Sequence, residues 1–210
     1  MVWNCAPSVI GSLPHTDPAR AVDLIIDSLR TIPTWPQLPN LGFRENMYAQ
    51  YARYLPGAQI DEARKKIRVD LSSYDPEDIY MRIVSEDVDS FSLPEDSFAG
   101  FHELMSRELP GSVRAIKGQV TGPLSMGLQL TDQNDRPVLY DEAYAEIIRK
   151  CLNLMARWQE RELLKKCSTA ITFLDEPYLS MMGTPFASVC PDDVRTWIAD
   201  VKGGLEGLTG

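Results

Sequence analysis

Apolar residues recur at two different periods along this chain, and the switches between them outline its elements. Val9-Ile10-Gly11-Ser12-Leu13-Pro14-His15-Thr16 starts apolar and runs into a loop punctuated by Gly and Pro, which predicts a short strand and its exit. Asp17-Pro18 then supplies an N-cap and a first-turn proline. The helix that follows places Val22, Ile25, Ile26 and Leu29 on one face. A second short, proline-broken strand and loop covers Thr34-Trp35-Pro36-Gln37-Leu38-Pro39-Asn40, and residues 44–54 read as a helix closed by Pro56-Gly57. Residues 59–110 look like an insertion. Within it, Lys66-Ile67-Arg68-Val69-Asp70-Leu71 alternates as an exposed strand does, Asp75-Pro76-Glu77-Asp78 opens a helix through about Val88, and a further helix spans about 94–109. Residues 112–119 return to strand character and end in Val120-Thr121-Gly122-Pro123. The longest amphipathic helix covers about 141–166, with Tyr144, Ile147, Ile148, Cys151, Leu152, Met155 and Trp158 as a core-facing stripe. Residues 171–174 are a short buried strand leading to Asp175-Glu176-Pro177, and Cys190-Pro191-Asp192-Asp193 starts a last helix that fades at Gly203-Gly204.

Strand and helix alternate four times outside the insertion, the order of a parallel α/β sheet. A closed TIM-type barrel needs eight such units in about 250 residues. The expectation is therefore a single domain over 1–210 that forms about half of a TIM-type barrel, a partial barrel belonging to a longer chain.

Composition narrows the partners more than the fold. Of 210 residues, 44% are hydrophobic and 24% charged, ordinary for a globular protein, and the formal net charge of -9 argues against nucleic acid or an anionic membrane surface. No apolar run reaches the length of a membrane span, and no secretory signal opens the sequence. The four cysteines are scattered without a CxxC or HxC pair, which reads as reduced thiols of a cytoplasmic protein. Cys190 is assigned a structural role.

Candidate chemistry gathers where the predicted strands end, the side on which α/β folds bind ligands. The first tip offers Gly11 for close backbone approach, Ser12 for holding a carboxylate, and His15 as acid, base or ligand. Trp35, Gln37 and Asn40 at the second suit a flat or amide-bearing ligand, though Trp35 equally suits packing between prolines. Thr121, Gly122 and Pro123 make a tight turn at the third. At the fourth, Asp175 and Glu176 could bind an ammonium group or transfer protons. Each of these residues also has a bland reading as a loop, turn or packing residue. Their succession on one rim favours a small-molecule site.

Ile10-Gly11-Ser12-Leu13-Pro14-His15-Thr16, Thr121-Gly122-Pro123 and Asp175-Glu176-Pro177 resemble, in order and spacing, the catalytic barrel of cobalamin-independent methionine synthase. They are also similar to the related uroporphyrinogen-decarboxylase and corrinoid-methyltransferase barrels. The resemblance implies methyl transfer to a thiol such as homocysteine. It implies that Gly11 and Ser12 contact the amino-acid substrate, that Asp175 helps bind it, and that Thr121 to Pro123 build the folate side. It also implies zinc in the full-length protein, with the His-x-Cys, Glu and Cys ligands expected beyond residue 210, so that none of the present residues is assigned to metal. Two departures stand out. The family segment carrying a further acidic contact stands here as Phe43-Arg44-Glu45-Asn46-Met47 without its first acid, and the tryptophan that lies against folate falls near Gln129. The methyl donor, folate or corrinoid, stays open.

Two other expectations compete. A uroporphyrinogen-decarboxylase-like enzyme would place arginines near the first strand, where none precedes Arg20. An inactive half-barrel would instead work by self-association through its exposed sheet edges.

Overall fold

The computed structural model describes residues 5–184 and 188–209. Two extended segments come first and lie side by side. Gln37 N donates to Gly11 O and Leu13 N donates to Gln37 O, both at 2.9 Å, a parallel bridge between Ser12 and Gln37. Between them runs α1 (Pro18–Ser28), started by Asp17, whose carboxylate accepts from Ala19 N and Arg20 N. These segments make isolated bridges rather than continuous ladders. Pro14, Pro33, Pro36 and Pro39 supply no N–H, so a ladder cannot run through them.

The helix expected over 44–54 is broken in two. Asn46 is extended (φ −69°, ψ 139°), and its side chain accepts from Tyr48 N, a local bond that competes with the helix. What remains is a 3-10 turn at Phe43–Glu45 and α2 (Ala49–Ala52). The insertion then opens with an antiparallel hairpin, β1 (Ala58–Asp61) and β2 (Lys66–Val69). Its second strand is not an exposed one, since Ile67 and Val69 are buried and Val69 N reaches Thr131 O. α3 (Glu77–Val84) stops short of Val88, and Glu86 follows with φ of 50°. α4 (Ala99–Ser106) is also shorter than expected, because Arg107 is extended (ψ 148°).

The remaining strands complete the sheet. β3 (Ile116–Thr121) pairs in parallel with β4 (Ala170–Asp175), and β4 with the two-residue β5 (Leu208–Thr209). Lys117 N donates to Pro33 O, which joins the second extended segment to β3. The order of the parallel sheet thus follows the order of the chain. Between β3 and β4 come α5 (Pro123–Gln129), where only a turn was expected, and the long α6 (Glu142–Leu164), capped by Asp141. α7 (Pro191–Lys202) leads to β5. Among the described residues the sheet is open, so this is a mixed α/β fold and not the TIM-type barrel that the alternation suggested. With five rows at most, the strands are too few to curl the sheet shut.

One face of the sheet is covered. Ile116 and Val120 of β3 and Ala170 of β4 pack with Ile147, Ile148, Cys151, Leu152 and Met155 of α6 in one buried cluster. Each of the Val, Ile, Leu and Met side chains among them contributes about 1.5–3 kcal/mol by leaving water. Gly118 lets α6 come this close, since a Cβ there would lie 2.0 Å from Gln159 Oε1. Strand alternation sends Lys117, Gln119, Thr121, Ile171, Phe173 and Asp175 to the opposite face, which carries the chemistry.

Candidate functional site

Gly11 has φ of 138°, a conformation that favours glycine, and a Cβ there would strike Gln119 Nε2 at 2.6 Å. The first tip is therefore folded tightly over the third strand. Ser12 Oγ donates to Gln37 Oε1 at 2.9 Å. A relay continues inward: Gln37 Nε2 donates to Gln50 Oε1 at 2.7 Å, and Gln50 Nε2 donates to Glu45 Oε2 and to Ser97 O. Ala99 N donates to the other Glu45 oxygen at 2.8 Å. Burial pushes the Glu45 carboxyl up, and these donors only partly offset it.

Thr121 and Asp175 lie opposite each other in the β3–β4 register. Thr121 Oγ1 donates to Met47 O at 2.6 Å, closing the loop after the second segment over the third tip. Asp175 is half-buried. Desolvation pushes its carboxyl up to about 6, while the Lys117 ammonium pulls the other way. Lys117 is 0% exposed, and burial lowers it to about 8 against the attraction of Asp175. Its Nζ donates to Ile10 O at 2.5 Å and to Gln119 Oε1 at 3.2 Å, and it sits 4.6 Å from the centre of the Phe173 ring. Sequence reasoning passed over Lys117. Its signal was present: Lys117 and Gln119 alternate with Ile116, Gly118 and Val120, marking one polar face on an otherwise apolar strand.

No protein-family model matches the chain, and no curated protein or solved structure does. The methionine-synthase resemblance rests on the motifs alone. Gly11 and Ser12 lie in the first row of the sheet, and Thr121 and Asp175 pair across its third and fourth. Glu176 is committed elsewhere. Its carboxylate accepts from Leu124 N and Ser125 N, both at 2.8 Å, at the start of α5. Gly122 makes room for it, since a Cβ there would lie 2.2 Å from Glu176 Cδ, and Pro123 takes the first position of α5. Burial pushes Glu176 up despite those donors. This carboxylate anchors a helix and has no free oxygen directed at a substrate.

Trp35 is likewise withdrawn into the core. Its Nε1 donates to Gln159 Oε1 at 2.8 Å, and its ring meets Phe98 and Phe101 edge-on. Gln37 is buried within the relay from Ser12. Asn40 is exposed, and its Nδ2 donates to Pro14 O at 3.0 Å, tying the first two loops together. His15 is half-buried, and its Nδ1 is enclosed with no hydrogen-bond partner among the described residues.

A cavity of about 560 Å³ adjoins the second and third tips, between Asn40, Phe43, Asn46, Tyr48, Lys65 and Gln129. Tyr48 connects it to the fourth tip: burial, with Tyr178 and Glu176 nearby, pushes its phenol up to about 12. Tyr178 OH donates to Gln129 Oε1 at 3.0 Å on the same side. The zinc implied by the resemblance finds no fit here. The described residues bring together no group of three or more His, Cys, Asp or Glu side chains able to hold a metal ion, and no chemical step is assigned through one. Among the same residues, no helix is long and apolar enough to cross a membrane.

Proposed function

We propose that this chain forms the substrate rim of a methionine-synthase-like methyltransferase and that it holds a small thiol amino acid such as homocysteine. The observation carrying this reading is that Ser12 and Asp175, which belong to motifs far apart in the sequence, stand at the same end of one parallel sheet, in its first and fourth rows. Asp175 in its ionised form pairs with the substrate ammonium. Ser12 and the backbone around Gly11 offer donors to the substrate carboxylate, once Ser12 exchanges its bond to Gln37. The neighbouring cavity, with Phe43 and Tyr48 in its lining and amides around them, takes a flat, polar group such as a methyl donor.

Calorimetric titration with homocysteine, and with methionine and homoserine as comparisons, tests the reading. Binding is expected to strengthen as pH rises through about 6, where Asp175 ionises, and to weaken at least tenfold in Asp175→Ala and severalfold in Ser12→Ala. Affinity unchanged in both variants, or no binding at all, overturns it.

Self-association is a second reading, favoured by the short β5 edge, where Leu208 is 47% exposed. Light scattering that returns a monomer at high concentration removes it.

A further inference from the structure

The cavity beside the second and third tips has a charge and a hydrogen-bonding character of its own. Among the described residues its lining contains no acid, in a chain with 30 Asp and Glu against 21 Lys and Arg. Glu176, the acid that acts on Tyr48 from outside, is committed to Leu124 N and Ser125 N. One lining residue is cationic. Lys65 stands in the turn between β1 and β2, within Arg64-Lys65-Lys66-Ile67-Arg68. Arg64 pairs with Asp61 and Arg68 with Asp135, while Lys65 makes no ion pair or hydrogen bond among the described residues.

The neutral groups of the lining sort into donors and acceptors by what already holds them. Asn46 Oδ1 accepts from Tyr48 N and Gln129 Oε1 accepts from Tyr178 OH, both at 3.0 Å, so the N–H groups of both amides remain unpaired. Tyr48 OH has no partner among the described residues either. Asn40 is the exception, since its Nδ2 donates to Pro14 O and its oxygen is left over. Donors therefore outnumber acceptors, and the one charge is positive. Phe43 and Tyr48 add aromatic surface and Ile67 adds apolar surface. A cationic ligand would meet the Lys65 ammonium as a like charge, and a neutral one would leave it unanswered.

We propose that this cavity binds a flat aromatic carboxylate, its ring against Phe43 and Tyr48 and its carboxylate on the Lys65 ammonium and the unpaired amide N–H groups of Asn46 and Gln129. A volume of about 560 Å³ has room for two fused rings. The inference rests on the methyl-transfer reading only in taking this cavity as a ligand site. It adds the charge that the ligand carries and the residue that selects it.

The test is calorimetric titration of the whole protein with naphthoate and with its uncharged counterpart naphthamide, at neutral pH and low salt. Naphthoate is expected to bind about tenfold more tightly than naphthamide, a preference that narrows as salt is added. Lys65→Asn removes the charge and keeps a residue type at ease in the left-handed conformation of this position, where φ is 53°. That variant is expected to lose the preference, with the acid weakened about tenfold and the amide unchanged. Lys66→Asn removes an equal charge from the next residue, which lines a separate cavity, and is expected to alter neither affinity. Naphthoate that binds no more tightly than naphthamide, or not at all, overturns the proposal. So does a loss in Lys66→Asn equal to that in Lys65→Asn, because a diffuse surface field would then account for the preference. Homocysteine affinity plays no part in the readout, so the two proposals fail separately.

Discussion

Replacing Lys117 by Met keeps the length of the side chain and removes the charge, and its effect on stability has a calculable pH signature. In the folded protein burial lowers the ammonium from 10.5 to about 8, and at 1.36 kcal/mol per pH unit that drop is worth about 3 kcal/mol. The sign follows from proton counting. Between about pH 8 and 10.5 the unfolded chain keeps a proton on Lys117 that the folded chain has released, so wild-type stability rises with pH across that window. The Met variant lacks this titration. Asp175 titrates near 6, below this window, and the tyrosines form a shared background. The difference in unfolding free energy, wild type minus Lys117→Met, should therefore climb by about 3 kcal/mol between pH 7.5 and 10.5. Below pH 8 the two proteins are expected to lie close in stability. The variant escapes a desolvation cost of about 3 kcal/mol and gives up the bonds to Ile10 O and Gln119 Oε1, each worth about 1–2 kcal/mol. Urea unfolding at five pH values reads the midpoints, with the slope m checked for constancy. A difference that stays flat or falls over this range refutes the assignment of Lys117 as a desolvated amine.

Three further outcomes follow from the same geometry. Gly118→Ala drives a Cβ to 2.0 Å from Gln159 Oε1 and 2.9 Å from Leu163 Cδ1, and Gln159 is pinned by Trp35 Nε1 and Gln119 O. A loss of about 2–3 kcal/mol is expected by thermal melting, against less than about 0.5 kcal/mol for Gly42→Ala, where a Cβ meets nothing within 4 Å. Glu176→Ala leaves the N–H groups of Leu124 and Ser125 without their acceptor and should cost about 2–3 kcal/mol, whereas Glu176→Gln, able to accept one of them, should cost about half as much. Equal losses in denaturant titrations of the two Glu176 variants would contradict the anchoring role. For Asp175, the folded carboxyl holds its proton longer than the unfolded one, so wild-type stability falls as pH rises from about 4 to about 6. That fall, about 2 kcal/mol after allowance for screening of a half-buried group, should disappear in Asp175→Asn.

The parts of this molecule legible in its sequence are those where one strong period dominates. The stripe from Tyr144 to Met155 is a buried helix face, and Asp141, Asp17 and Pro191 start helices as their types predict. α5 was hidden because six of its seven residues are buried, so it has no polar face to reveal a helical period. β5 has two residues, too few for any alternation to register, and β1 takes its partner from a turn rather than from its own pattern. The site divides along a different line. Asp175 and Glu176 are adjacent and chemically alike, and the sequence offers no way to separate them. The fold does: strand alternation keeps Asp175 on the open face with Lys117, while the chain leaving β4 delivers Glu176 to two backbone donors more than fifty residues earlier. Trp35 and Gln37 are settled in the same manner by Gln159 and Gln50, partners lying on helices well outside their own motif. A polar residue in a motif is available for chemistry only when nothing inside the protein has already taken up its hydrogen-bonding capacity. By that criterion Glu176, Trp35 and Lys117 are already spent, and Asp175, half-buried on the open face of the sheet, is where a substrate contact should be sought.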